Sequence, residues 1–158
     1  MMEEIDKKIL KQIFNRYRGA PGFVIVTWEE FRDLVTKAYP FLINAAKEER
    51  FITYGEVGGK IGLYVDSEYF QLKIGFVVGA CSDYENIKGR PLISAIVVND
   101  TTKYPGKGFW GLSRIPDNIR LNIQYSDIES GYRMTNEMLD FWTSEVRRVF
   151  NWWKTHGC

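Results

Sequence analysis

The chain has 158 residues, of which 45% are hydrophobic and 15% aromatic, which is enough apolar material for one domain with a substantial core. Its 21 Lys and Arg residues against 20 Asp and Glu residues give a formal net charge of +1. This balance excludes the strong overall positive field of sequence-independent nucleic-acid binding, but it leaves a local basic patch open. We expect neither a signal peptide nor a transmembrane helix, because residues 1–17 are charged throughout and no apolar run approaches the roughly 20 residues of a membrane span. Two cysteines fit a reducing compartment, so a cytoplasmic protein is predicted.

Two helices are predicted in the first third of the chain. The first ends near Tyr17, because apolar residues recur on one face at helical spacing before the turn-forming residues 19–22. The second begins at Thr27, which has the spacing of a capping box with Glu30; it is predicted to run toward Pro40 and to resume as helix through Ala46.

The segment from residue 53 to residue 109 is the most informative part of the chain. Thr53 and Glu56 repeat the capping-box spacing, so we predict a short helix that three nearby glycines weaken and end. From Ser67 onward, apolar residues recur at helical spacing and indicate a longer helix. The two helices predict a helix-turn-helix-like unit over residues 51–84.

Strands and a last helix are predicted after this unit. Residues 92–98 carry no polar side chain except that of Ser94, which is typical of a strand covered on both faces. Residues 119–125 alternate between apolar and polar side chains and predict a half-exposed strand. The last helix is predicted over residues 135–155, and its aromatic side chains either pack against the first helix or support a homo-oligomer.

Together these elements predict an α+β fold in one domain, residues 1–158. Its parts are a small central β-sheet, a helix-turn-helix-like (winged-helix-like) unit and flanking N- and C-terminal helices. A core strand and a polar loop occupy residues 90–109.

The sequence also resembles a known family over about a third of its length. Residues 52–57 (Ile-Thr-Tyr-Gly-Glu-Val) are followed by Ile74-Gly75 in the next predicted helix, and then by Pro91 and residues 97–99 (Val-Val-Asn) before a glycine-containing turn. This pattern resembles the winged-helix domain of alkylguanine DNA alkyltransferases and alkyltransferase-like proteins. The resemblance implies a helix-turn-helix whose second helix enters the minor groove of DNA.

The chain departs from that family at the reactive position. The family has Pro-Cys-His-Arg there, whereas residues 91–94 are Pro-Leu-Ile-Ser, so alkyl transfer is not expected. Gln71 and Lys73 stand where the family places the Arg that props the duplex open. The Thr-Tyr-Gly-Glu and Gly-Arg-Pro-Leu pattern of residues 53–56 and 89–92 also resembles short prokaryotic and phage proteins, and this likeness implies no activity.

Cationic residues around the predicted strand form the first part of a candidate ligand-binding site. Arg90 lies between Gly89 and Pro91, where its planar guanidinium could hold a phosphate or carboxylate through two hydrogen bonds or could simply be exposed. Lys103 and Lys107 flank a Pro-Gly pair, which brings two cations and open backbone amides together, as anion sites often do.

Five further residues complete the candidate site. Tyr54 and Trp110 are predicted to stack on a ligand, with packing as the alternative. Ser94 needs a hydrogen bond if buried, and we expect a backbone partner. Glu56 serves either the capping box or the site, and Asn99 belongs to the polar loop or to the site.

No catalytic constellation is recognised. The single histidine, His156, is near the end of the chain, and neither cysteine spacing for a metal nor a phosphate-binding glycine loop occurs. We therefore predict no metal and no cofactor. Glu56, Asp66 and Asp83 are carboxylates that a metal-dependent nuclease could use, but no paired motif selects among them.

Three functional hypotheses follow. The favoured one is a non-catalytic protein that captures a nucleotide-like or other anionic small molecule, as a phage or prokaryotic protein that sequesters a signalling nucleotide would do. The second is a DNA-binding winged-helix module that uses the unit from residue 53 to residue 81. The third is a carboxylate- or metal-dependent hydrolase or nuclease.

Overall fold

The computed structural model describes residues 4–25, 27–119 and 134–156. Two short strands, β1 (Ile52–Thr53) and β2 (Val97–Val98), pair in parallel, and 3₁₀ turns cover Ile93–Ile96 and Lys107–Gly111. The fold is α+β, as the sequence predicts, and most of it is helical. The helices are α1 (Lys7–Tyr17), α2 (Trp28–Lys47), α3 (Tyr54–Ile61), α4 (Phe70–Ile87) and α5 (Asn136–His156).

Side-chain caps fix where the first three helices begin. Asp6 caps α1 and Thr27 caps α2, each by accepting hydrogen bonds from backbone N–H groups of the first turn. The predicted capping box of α3 is present in both directions. The Thr53 hydroxyl accepts from the Glu56 N–H at 3.1 Å, and the Glu56 carboxylate accepts from the Thr53 N–H at 2.9 Å. Gly62 then ends α3 with a φ of 79°, a conformation that favours glycine.

The long helix α4 begins at Phe70 and not at Ser67. The Ser67 hydroxyl donates a hydrogen bond to the Tyr64 carbonyl and so stabilises the turn before the helix. Tyr69 follows with a φ of 62°, and this left-handed residue is the last one before α4.

The predicted strand of residues 92–98 is wrong over most of its length. Residues Ile93–Ile96 form a 3₁₀ turn, and only Val97–Val98 pairs with a neighbouring strand. The reason is that side chains take up the backbone groups that a sheet would otherwise pair. These contacts are Leu92 N–H to the Glu145 carboxylate at 2.7 Å, Ser94 N–H to the Ser82 hydroxyl at 2.8 Å, and the Trp142 indole to the Ala95 carbonyl at 2.8 Å.

The position of α4 and the pairing of the strands determine where a site can lie. Helix α4 packs on α1, α2 and α3 and on both 3₁₀ turns. In the sheet, Ile52 pairs with Val97 and Thr53 with Val98. This register places the start of α3 beside the loop that follows β2.

The C-terminal helix uses most of its aromatic surface within the molecule. It packs chiefly on α2 and the first 3₁₀ turn, and not on α1 as the sequence suggested. Trp142 and Trp153 are buried, Phe150 contacts Phe51, and Trp152 stacks on the His156 ring. Self-association through this helix stays a prediction.

Two other sequence predictions concern the strand of residues 119–125 and the wing of a winged helix. Of the strand predicted for residues 119–125, the structure describes Ile119, which is buried and helical, and the other six residues lie outside the described residues. Within the described ranges the sheet is a parallel pair, and a β-hairpin that would form a wing does not occur there. The winged-helix detail therefore stays a prediction.

Candidate functional site

A cavity of about 930 Å³ lies against α4. Its walls come from four parts of the chain, which are the α1–α2 connection, the start of α3, one face of α4, and the segment from Ser94 to Leu112. Most of the lining is apolar, and a few polar groups interrupt it. A cavity of this size and character is typical of a small-molecule site.

Two glycines of α4 keep the floor of the cavity open. Gly75 and Gly79 are one helical turn apart, and with Gln71 and Asp83 they form the row of α4 that faces the cavity. A Cβ atom at Gly75 would meet nothing within 4 Å. At Gly79 it would lie 3.7 Å from the Leu112 side chain, which is an ordinary contact. Packing therefore does not require either glycine.

The sequence carries this pair of glycines inside a predicted helix. A glycine inside a helix costs about 1 kcal/mol relative to alanine, so two of them at a spacing of four residues need a reason. Here the reason is the space above the helix. The same pattern would have pointed to Asp83, which lies one turn further along α4.

Asp83 is the buried charged group of the cavity wall. Its Oδ2 accepts a hydrogen bond from the Tyr17 hydroxyl and lies 3.1 Å from the Arg16 guanidinium. Its Oδ1 has the Ser113 hydroxyl at 3.5 Å. Burial raises the pKa of the Asp83 carboxyl, while the hydrogen bond from Tyr17 and the charge of Arg16 oppose this rise.

The Tyr17 phenol stays protonated beside this carboxylate. Burial and the neighbouring Asp83 raise the pKa of Tyr17 well above its ordinary value. The phenol therefore acts as a hydrogen-bond donor that holds Asp83 in place, and it lines the same cavity.

Four of the predicted site residues line this cavity: Tyr54, Ser94, Asn99 and Lys107. The Tyr54 hydroxyl accepts a hydrogen bond from the Gly106 N–H at 2.7 Å. A Cβ atom at Gly106 would lie 3.1 Å from that hydroxyl, so glycine allows this close approach. Tyr54 thus ties the loop after β2 to the start of α3.

The other three residues lie on the wall that follows β2 and the first 3₁₀ turn. The Ser94 hydroxyl is 2.6 Å from the Ser82 hydroxyl, so its partner is a side chain and not the expected backbone group. The side-chain Oδ1 atom of Asn99 accepts hydrogen bonds from the backbone N–H groups of Thr101 and Thr102 and so shapes the loop. Lys107 is exposed and supplies a cation to the cavity.

Arg90 lies elsewhere, although the sequence suggested that it borders the site. Its guanidinium donates to the Glu85 carboxylate at 2.9 Å and to the Tyr39 hydroxyl at 3.2 Å, and it stacks over the Trp153 ring. The Arg90 side chain is 12% exposed and that of Glu85 is 0% exposed. Arg90 therefore belongs to a buried ion pair, and it is not one of the residues that line the cavity.

The remaining three predicted residues also lie apart from the cavity. Trp110 is fully buried and packs against Phe109 and Phe141. Lys103 is 69% exposed and has the Asp100 carboxylate at 3.5 Å. Glu56 caps α3 and lines a separate, open cleft of about 450 Å³.

The arrangement of α4 also bears on the DNA-binding alternative, in which this helix would read the groove. The cation of α4 that this reading needs, Lys73, lies 3.2 Å from Glu30 of α2 and is 23% exposed. Because α4 is packed by three other helices and both 3₁₀ turns, it does not offer the exposed basic face of a recognition helix.

Comparisons with protein-family models, curated proteins and solved structures found no match to this chain. No helix within residues 4–25, 27–119 and 134–156 combines the length and apolar character that crossing a membrane requires. In the part of the chain that the structure describes, His, Cys, Asp and Glu side chains form no group of three that could hold a metal ion.

Proposed function

We propose that this protein binds, without catalysis, a nucleotide-like or other anionic small molecule in the cavity beside α4. The observation that carries this proposal is the cavity of about 930 Å³ over Gly75 and Gly79. A mainly apolar cavity with a few convergent polar groups has the general character of a ligand site.

The walls suit a ligand with a flat ring. Gly75 exposes the backbone of α4, with no atom within 4 Å of its Cβ position, and at Gly79 the Leu112 and Tyr17 side chains border the space at 3.7 Å, so a planar ring can lie over Gly75. Phe76 and Phe109 add aromatic surface to the lining. Ring stacking of this kind favours nucleobases without requiring one particular base.

An anionic group of the ligand would bind near Lys107. The sequence assigned this part to Arg90, Lys103 and Lys107 together, and of these three residues Lys107 lines the cavity, whereas the guanidinium of Arg90 binds Glu85. Lys107, Leu112 and Asp83 all line the cavity. In this proposal a mononucleotide lies with its base near Asp83 and its phosphate near Lys107.

Two features support capture without turnover. Two ionisable groups of the cavity wall, Asp83 and Tyr17, are hydrogen-bonded to each other, and the raised pKa of Tyr17 opposes its use as a base. His156 stacks on Trp152 at the end of α5 and does not line the cavity. Capture of this kind fits a protein that sequesters a signalling nucleotide.

Filling the cavity at its floor tests the proposal. Native mass spectrometry of freshly purified protein would look for a bound small molecule, and calorimetry would measure binding of AMP, GMP, CMP and UMP. We expect at least one nucleotide to bind the wild type and Gly75→Leu to abolish binding, because the new side chain occupies open cavity space. Gly75→Leu should fold normally, since leucine is a better helix former than glycine.

The matched control is Gly59→Leu. Gly59 also has open space around its Cβ position and also lies in a helix, but it is outside the cavity. This variant should bind like the wild type. The proposal fails if purified wild type carries no small molecule and binds none of the four nucleotides, or if Gly75→Leu binds them undiminished.

A further inference from the structure

We propose that Asp83 selects the ligand by accepting a hydrogen bond from a neutral N–H group, such as the amino group of a nucleobase, at its Oδ1 atom. This inference rests on the proposed function, because it concerns the same cavity. It adds that Asp83 determines specificity, and that the ligand presents a neutral N–H donor to it.

The two carboxylate oxygens of Asp83 have unequal surroundings. Oδ2 accepts from the Tyr17 hydroxyl and has the Arg16 guanidinium at 3.1 Å. Within the described residues, the hydrogen-bond partner of Oδ1 is the Ser113 hydroxyl at 3.5 Å, which is a long contact. A carboxylate oxygen can accept two hydrogen bonds, so Oδ1 retains acceptor capacity on the wall of the cavity.

Because Asp83 is buried, leaving a hydrogen-bond acceptor site of its Oδ1 atom unpaired carries a free-energy penalty. The residue is 5% exposed, so water satisfies it poorly, and burial is the largest cause of its raised pKa. A buried charged acceptor without full hydrogen bonding is destabilised, and a ligand N–H donor removes that penalty on binding.

The neighbours of Asp83 favour a neutral donor over a cation. Arg16 already supplies a positive charge to the carboxylate, and the Tyr17 phenol adds a hydrogen-bond donor. A ligand ammonium would meet Arg16 as a like charge. An amino group on a heteroaromatic ring offers a directed N–H without that repulsion, and its flat ring suits the mainly apolar lining of the cavity.

Nearby polar groups hold the carboxylate rigid, which selection requires. The hydrogen bond from Tyr17 and the ion pair with Arg16 both join α1 to the Oδ2 atom of Asp83 on α4, and these two contacts fix the orientation of the carboxylate. A site built to bind a ligand N–H discriminates strongly against an analogue that lacks it, because the acceptor is then left buried and unpaired.

Two matched pairs of nucleotides test the inference. Calorimetry would compare AMP with purine riboside 5′-monophosphate and GMP with IMP, since the second member of each pair lacks one amino group. We expect the wild type to bind the amino-bearing member of at least one pair about 10-fold or more tightly, as for a hydrogen bond to a charged group. Asp83→Asn should reduce this ratio to within about 3-fold, because it removes the charge but keeps the size of the side chain.

The control variant is Asp100→Asn, which makes the same change on the exposed loop after β2 and should keep the wild-type ratio. A ratio of affinities is insensitive to a general loss of folded protein, so it separates selection from structural support. Wild-type binding with equal affinities within both pairs, or an unchanged ratio in Asp83→Asn, overturns the role of Asp83. Failure of the wild type to bind any nucleotide, with no co-purified ligand, instead overturns the proposed function.

Discussion

At the residue scale, Arg90 shows how burial changes the role of a charged side chain from ligand binding to structural support. From the sequence it was an exposed anion ligand in an extended stretch, but Glu85, Tyr39 and Trp153 enclose it. Glu85 is only five residues away in the sequence, whereas Tyr39 and Trp153 come from α2 and α5. Long-range packing of this kind has no local sequence signal, so the assignment of Arg90 could not be made from the sequence.

A truncation of Arg90 should destabilise the fold. Arg90→Ala leaves the Glu85 carboxylate buried without its cation, and such a loss costs about 3–5 kcal/mol. Urea unfolding followed by circular dichroism measures this change.

The matched control for Arg90 is Arg50→Ala. Arg50 pairs with Glu48 on the surface, so its loss should cost less than about 1 kcal/mol. The double variant Arg90→Ala with Glu85→Gln should recover part of the lost stability, because the unpaired charge is gone. A stability of Arg90→Ala within about 1 kcal/mol of the wild type would contradict the buried ion pair.

At the element scale, local sequence patterns predict the helices, whereas long-range hydrogen bonds determine a segment that the sequence does not predict correctly. The capping boxes and the helical spacing of apolar residues gave α1, α2 and α3 close to their observed bounds. The apolar run of residues 92–98 looked like a strand because its side chains are buried. Its backbone instead binds Ser82, Glu145 and Trp142, which no local pattern reveals.

Helix α4 should become more stable when its cavity-facing glycines are replaced by alanine. Gly75→Ala and Gly79→Ala should each raise the free energy of unfolding by about 1 kcal/mol, because the new Cβ atoms meet no close neighbour. Chemical denaturation at fixed pH provides the measurement.

The contrasting substitution in α3 is Gly58→Ala. Its Cβ atom would lie 2.3 Å from the Leu63 carbonyl oxygen, so this variant should lose stability despite the better helix former. Destabilisation by both α4 substitutions would show that these glycines serve packing and not the cavity.

At the scale of the whole molecule, stability should depend on two buried carboxyls from different parts of the fold. Burial raises the pKa of Asp83 and of Glu145, so the folded chain binds these protons more tightly than the unfolded chain does. Their contribution is therefore fully present at low pH, and it is lost as the pH rises through their folded pKa values.

The variant Asp83→Asn isolates one of these contributions. The unfolding free energy of the wild type relative to Asp83→Asn should fall across the pH range above about 4, the ordinary pKa of an Asp carboxyl, since only the wild type ionises at this position. Urea titrations across this range, repeated with Glu145→Gln, give the two differences. A difference that stays constant with pH, or that grows in favour of the wild type, would contradict the sign of the shift.

The parallel pairing of β1 with β2 sets an order for the folding of the chain. Ile52 reaches Val97 only after the intervening chain, including α3 and α4, has been brought back on itself. Contacts between residues so distant in sequence carry a large loop-closure entropy and form slowly, whereas the local helices form early. The hydrogen bond from Gly106 to Tyr54 depends on this late closure, so refolding chains should acquire helical circular dichroism before they acquire the capacity to retain a ligand.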